Sequence, residues 1–139
     1  MFDIISARCG VLRFSAYILN LKSVNILVVV VYLWHSEGFT EHNIQILQSI
    51  LMLKELIKLP ILCLGDFNMP VQNFEQSGWL QRFNSQIIKP KIQSTTVLSK
   101  DRVIDCGFIS SELYPILLRL EVFISVPWHP HFALLLTLL

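Results

Sequence analysis

The segment Leu62-Cys63-Leu64-Gly65-Asp66-Phe67-Asn68 sets an aspartate and an asparagine two residues apart at the end of an apolar stretch. A carboxylate can take up a proton or bind a hard cation, and a carboxamide offers two N–H donors. Gly65 permits a sharp exit from a strand, so both groups can emerge at a sheet rim, where sites commonly form. An Asx turn after a strand accounts for the same two residues, and on these residues alone it is the stronger account. Tyr32, Asp105 and His131 also border apolar runs. Taken singly, Tyr32 reads as half-buried core with a bonded hydroxyl, Asp105 as a strand-edge charge, and His131 as the start of a strand. His129 competes with His131, while His35 and His42 read as surface residues. Of the three cysteines, Cys63 and Cys106 sit inside apolar runs, where a thiol is normally a small buried hydrophobe; all three read as structural rather than nucleophilic.

The elements that must position these groups follow from hydrophobic patterning. Val11 to Leu19 and Val24 to Leu33 read as two strands joined by a polar turn at Asn20-Leu21-Lys22-Ser23. Thr40 is placed to cap a helix over Glu41 to Lys58, with Ile44, Leu47, Ile50 and Leu51 on its apolar stripe, extended by Leu56 and Ile57, and Pro60 to stop it. Ile61 to Leu64 is a short buried strand. Phe74 to Phe83 has room for a helical turn or two, and Asn84 to Lys100 reads as polar loop with short extended pieces. Arg102 to Ile109 is a strand, Ser110 to Leu113 a helical turn broken at Pro115, and Leu118 to Val126 and Phe132 to Leu139 are the last strands. Strands, one long helix and more strands imply layered α+β or α/β architecture.

Composition bounds the rest. The 139 residues give room for one domain. Hydrophobic residues make up 53% and charged residues 15%, with mean hydropathy +0.57, which suits strands covered on both faces. A net charge of +1 provides no global field for a polyanion, so any nucleic-acid contact must be local. The longest apolar run, Ile26 to Trp34, is far short of the roughly 20 residues of a membrane-spanning helix. With no secretory-signal pattern and an odd cysteine count, an intracellular, reducing home is the expectation.

Read in order, Val29-Val30-Val31-Tyr32-Leu33, then Gly65-Asp66-Phe67-Asn68, then Ile104-Asp105-Cys106-Gly107-Phe108-Ile109-Ser110, then His129-Pro130-His131-Phe132-Ala133-Leu134 resemble the motifs of the endonuclease/exonuclease/phosphatase (DNase I-like) family. Those motifs are N-V-Y, G-D-F-N, I-D-Y-I-F-V-S and S-D-H-x-P-V. The resemblance covers roughly residues 8 to 139. It implies an α+β fold, part of a four-layer sandwich with mixed, largely antiparallel sheets flanked by helices. It also implies divalent-metal-dependent hydrolysis of phosphodiesters using Mg²⁺ or Mn²⁺, with nucleic acid as substrate and a retroelement-type nuclease as origin. By the same resemblance Asp66 handles the attacking water or the leaving oxygen and is the metal-binding carboxylate. Asn68 holds the phosphate, His131 stabilises charge on phosphoryl oxygens, Asp105 orients His131, and Tyr32 lines the phosphate site. Such chemistry needs a positioned water, help for developing negative charge, and a cation.

Two departures stand out. The family has an aspartate before the terminal histidine where this chain has Pro130, which offers no side-chain oxygen. The family's early asparagine and metal-binding glutamate precede the segment that aligns here, so the resemblance implies a single incomplete domain over residues 1–139, the later part of the fold. An incomplete sandwich implies exposed sheet and association with a partner chain or with itself. Three functions are thereby in competition: a metal-dependent nuclease, a non-catalytic remnant or interaction domain, and a phosphatase or phospholipase of the same family.

Overall fold

The computed structural model describes residues 2–5, 13–91, 95–96 and 103–139, with the side chains of 2–5 left aside. Six strands form one sheet: β1 (Phe2–Ile5), β2 (Phe14–Asn20), β3 (Asn25–Tyr32), β4 (Ile61–Asp66), β5 (Ser85–Ile88) and β6 (Asp105–Ser110). Their spatial order is β1-β2-β3-β4-β6-β5, and β7 (Leu117–Phe123) pairs with β8 (Ala133–Leu138) in a separate two-stranded sheet. Among the described strands only β3 and β4 run parallel. A parallel pair needs a crossover, which here is the helix α1 (Glu41–Ile57). Two short helices, α2 (Val71–Gln76) and α3 (Trp79–Arg82), follow β4. No helix among the described residues is long and apolar enough to cross a membrane.

The two faces of the large sheet bury different clusters, and β3 shows how. Its Leu27, Val29 and Val31 face the helices and pack with Leu47, Ile50, Phe67, Phe74 and Phe108. Its Ile26 faces the small sheet, in a cluster with Leu62, Ile109 and Leu113 that Leu120 and Leu136 cover. Further along the same face Val30 is 50% exposed and Tyr32 47% exposed, and neither belongs to that cluster. Helices, large sheet and small sheet make a mixed, largely antiparallel α+β arrangement of the expected kind, with three layers among the described residues.

Several local expectations need correction. The buried stripe of α1 is Asn43, Ile46, Leu47, Ile50 and Leu53; Ile44 and Leu51 pack only at its margin, and Leu56 is 78% exposed. Thr40 does hold the N-cap position, but its hydroxyl donates to Glu37 Oε2 at 3.0 Å instead of capping the helix. The helix ends on Lys58 in the left-handed conformation, its N–H on the Lys54 carbonyl, two residues before Pro60. Pro115 lies inside a 3₁₀ turn, Tyr114–Ile116, where the rigid φ suits the first turn, and so does not break it. Val11, Arg102, Cys9 and Lys100 lie outside the described residues.

Candidate active site

Three neighbouring strands place polar groups at one sheet end. Tyr32 is the register partner of Asp66 across the parallel β3–β4 pair, and Asp66 is the partner of Asp105 across the antiparallel β4–β6 pair. The row is possible because Gly65 and Gly107 let strands approach closely. A Cβ on Gly65 would land on the Val31 carbonyl oxygen, and one on Gly107 on the Cys63 carbonyl oxygen. Two carboxylates directly opposite on a sheet repel each other. His131 lies between them. Its Nδ1 is 2.9 and 3.1 Å from the Asp105 carboxylate oxygens, and its Nε2 is 3.3 Å from Asp66 Oδ2. Both carboxylate side chains are close to buried, at 10% and 9% exposure, while the imidazole is 33% exposed and so opens to solvent.

Asn68 joins this group from the turn after β4. Its backbone N–H donates to Asp66 Oδ1 at 2.8 Å, which is an Asx turn, and its φ of +49° is one that asparagine tolerates. The plain turn and the convergent site are therefore both present. The Asn68 amide is fixed, Nδ2 donating to the Leu33 carbonyl at 2.8 Å and Oδ1 lying 3.3 Å from His35 Nδ1. Asp66, Asn68, Asp105 and His131 thus come together at one end of the sheet. Tyr32 sits beside them on β3, its ring 4.1 Å from the Arg13 guanidinium carbon. His129 is exposed and stays outside the cluster.

Three residues that hold the site in place carry no sequence motif. Thr95 is fully buried; its hydroxyl accepts the backbone N–H groups of Ile104 and Asp105, both at 3.1 Å, and its carbonyl accepts Phe132 N–H at 3.0 Å. Together with the Thr96–His131 bridge, this ties the final segment to the start of β6. Asn43, also fully buried, accepts Trp34 N–H at 2.7 Å and donates to the carbonyls of Gly38 and Trp34, which fixes the loop after β3. His35 is exposed as expected, yet it touches Asn68, a contact that local patterning cannot show.

The described thiols are not part of this chemistry. Cys63 and Cys106 are free and buried, and burial pushes both well above the ordinary thiol range, with Cys106 adding to it at Cys63 and Asp105, Asp66 and Glu75 adding to it at Cys106. A thiolate is the reactive form, so these groups are inert core. For a cation, the ligand atoms of Asp66, Asp105 and His131 lie within 4.8 Å of one another. One or two carboxylates with retained waters is the usual protein contribution to Mg²⁺, so the carboxylate pair fits such an ion in number and type.

This architecture is the DNase I-like fold of endonuclease/exonuclease/phosphatase structures. The endonuclease domain of TRAS1, a telomere-specific non-LTR retrotransposon, matches with a TM-score of 0.71 at 12% identity, over 99% of this chain and 68% of its own. An endonuclease/exonuclease/phosphatase family protein from Leptotrichia buccalis matches at 0.64 and 13% identity, over 99% and 61%. The 3′ phosphatase NExo from Neisseria, bound to a product DNA hairpin, matches at 0.54 and 12%, over 88% and 64%. The chain therefore spans between 61 and 68% of the length of these three proteins. No protein-family model matches the chain, and no curated protein does.

Proposed function

We propose that the chain is a divalent-metal-dependent phosphodiester hydrolase of nuclease type, acting through Asp66, Asn68, Asp105 and His131. The observation that carries this reading is the imidazole bridging two carboxylates from adjacent strands. In this reading Asp105 is a positioning residue that fixes the ring plane and tautomer of His131. His131 Nε2, 3.3 Å from Asp66 Oδ2 in the resting site, turns its N–H to a phosphoryl oxygen as negative charge develops there. Asp66 takes the proton of the attacking water or gives one to the leaving oxygen. Asn68 has a second Nδ2–H, beyond the one on Leu33, for a non-bridging oxygen, and Tyr32 flanks the phosphate. Asp66, with Asp105 beside it, would hold Mg²⁺ or Mn²⁺, which supplies charge neutralisation at the phosphate when bound.

The test is cleavage of plasmid and of a labelled oligonucleotide with Mg²⁺ or Mn²⁺. Asp66→Ala and His131→Ala are expected to abolish metal-dependent cleavage; cleavage unchanged in either variant rejects the site assignment. A second reading, a non-catalytic remnant, draws on Pro130, which offers no metal ligand beside His131. Titration calorimetry with both ions separates the two, since a remnant shows no saturable binding. A phosphatase of the same family acting on small phosphate esters, with which the net charge of +1 agrees, would hydrolyse p-nitrophenyl phosphate and spare internal phosphodiesters.

A further inference from the structure

Beside Tyr32 and Asn68 lies an assembly that phosphoryl chemistry does not require. Arg13, cross-strand from Tyr32, lays its guanidinium carbon 3.8 Å from the Trp34 ring centroid and 4.1 Å from that of Tyr32. Its Nε donates to the Tyr32 carbonyl at 2.9 Å, which fixes the guanidinium plane. Trp34 is held from its own backbone by Asn43, on both its N–H and its C=O. Tyr32 is nearly half exposed, Arg13 and Trp34 are part-exposed, and the exposed His35 continues the rim to Asn68.

An arginine used only to cover apolar surface needs neither a fixed plane nor a rigidly held indole. Planar cations and aromatic faces in fixed array are what nucleobases stack on. A guanidinium on an aromatic face is also more weakly hydrated than an ammonium and stacks where lysine cannot. We infer that Arg13, Tyr32, Trp34 and His35 form a nucleotide subsite, in which a base stacks on the arginine–aromatic array while its phosphate lies toward Asn68. The inference rests on the proposed phosphodiester reading and narrows its substrate to single-stranded or unpaired nucleic acid. The small net charge of +1 agrees with recognition by stacking rather than by a broad basic surface.

The test uses the full chain in EDTA, where no cleavage occurs, with fluorescence anisotropy of a labelled single-stranded DNA octamer. A matched octamer carries tetrahydrofuran in place of every base. Wild type is expected to bind the base-bearing strand about 5- to 150-fold more tightly than the base-free one, the range a single stacked base provides. Trp34→Ala should erase most of that ratio while leaving base-free binding within about twofold; Arg13→Ala should erase the ratio too, with both strands weakened by the lost charge. Arg13→Lys keeps the charge and should still lose the ratio. Where Trp34→Ala fails to fold by circular dichroism, Trp34→Leu takes its place. Equal affinity for both strands, absence of binding to either, or an undiminished ratio in Arg13→Lys overturns the inference. The outcome is separable from the catalytic reading. Binding with base preference but no metal-dependent cleavage would retire the hydrolase and keep the subsite. Cleavage of bis-p-nitrophenyl phosphate without base preference would do the reverse.

Discussion

Gly65 is where the geometry of the site is most directly exposed to a single methyl group. A Cβ there would fall on the Val31 carbonyl oxygen and within 2.8 and 2.9 Å of Val31 C and N. These are backbone atoms of the neighbouring parallel strand, so no side chain can rotate out of the way. Its φ of +155° is in addition one that residues with a Cβ rarely adopt. Overpacking typically costs about 1–3 kcal/mol and a strained backbone about 1–3 kcal/mol, so Gly65→Ala should cost roughly 2–6 kcal/mol. Gly38 and Gly78 provide internal controls. Both have positive φ, +53° and +85°, but open space where the Cβ would go, so alanine there should cost only about 1–2 kcal/mol. The assay is equilibrium urea unfolding followed by tryptophan fluorescence. With a slope of about 1–3 kcal/mol per molar urea, Gly65→Ala should lower the midpoint by about 1 M beyond either control at the middle of these ranges. If any Gly65→Ala protein remains folded, its parallel β3–β4 pair must open, carrying Asp66 away from Tyr32 and His131. A Gly65→Ala protein as stable as Gly38→Ala would refute the claim that close strand approach sets the site.

Three further outcomes follow from buried groups. Cys63 and Cys106 have thiols raised by burial above the ordinary 9.0, so their stabilising contribution is complete below that value and is lost as pH rises beyond it. Unfolding midpoints should therefore fall above about pH 9, and a Cys9→Ser protein should give no native reaction with Ellman's reagent but two equivalents in denaturant; native labelling would contradict it. Asn43→Ala removes three hydrogen bonds from a fully buried amide and should cost about 2–3 kcal/mol, with faster amide exchange at Trp34. Phe74 stacks on Phe108 at 5.7 Å and edge-on to Phe67 at 4.9 Å, and Phe74→Ala should cost about 3–5 kcal/mol by calorimetric or urea unfolding.

How much of this could be read from residues alone depends on whether the signal was local. The β3 run from Asn25 to Tyr32 announces a strand because its apolar residues serve both faces. Gly65, expected to turn the chain out after Leu64, instead lies inside β4, which runs on to Asp66, and is glycine because only glycine tolerates the close approach of β3. The buried stripe of α1 keeps Leu47 and Ile50 but departs from hydrophobic periodicity elsewhere because it begins with a polar residue. Asn43 is buried for its hydrogen bonds to a loop, and hydrophobic periodicity does not register that. Thr95 looks like any loop threonine until β6 arrives beside it. Arg13 and His35 are equally silent, since one acts across strands and the other reaches Asn68 over a separation of 33 residues. Motif order brought Asp66, Asn68, Asp105 and His131 into one proposal, but no spacing rule reveals that Asp66 and Asp105 face each other across one ladder rung.

That opposition makes His131 structural as well as a candidate for chemistry. Asp66 and Asp105 are nearly buried register partners, and like charges in that arrangement oppose folding. An imidazole touching both carboxylates relieves the conflict, so His131→Ala should destabilise the chain even where catalysis is not measured. Removing one partner of a buried ionic group costs about 3–5 kcal/mol. His131 is one-third exposed, and water screens the pair accordingly, so about 1–3 kcal/mol is the expectation here. The diagnostic is a second substitution. If the cost comes from unopposed carboxylates, adding Asp105→Asn to His131→Ala should recover part of it, because one charge is gone while the hydrogen-bonding shape remains. Saturating Mn²⁺ should likewise raise the unfolding midpoint of His131→Ala, and should do less for the double variant. A double variant no more stable than His131→Ala, with no response to Mn²⁺, would mean that the imidazole contributes packing alone and that this site neither needs nor holds a cation.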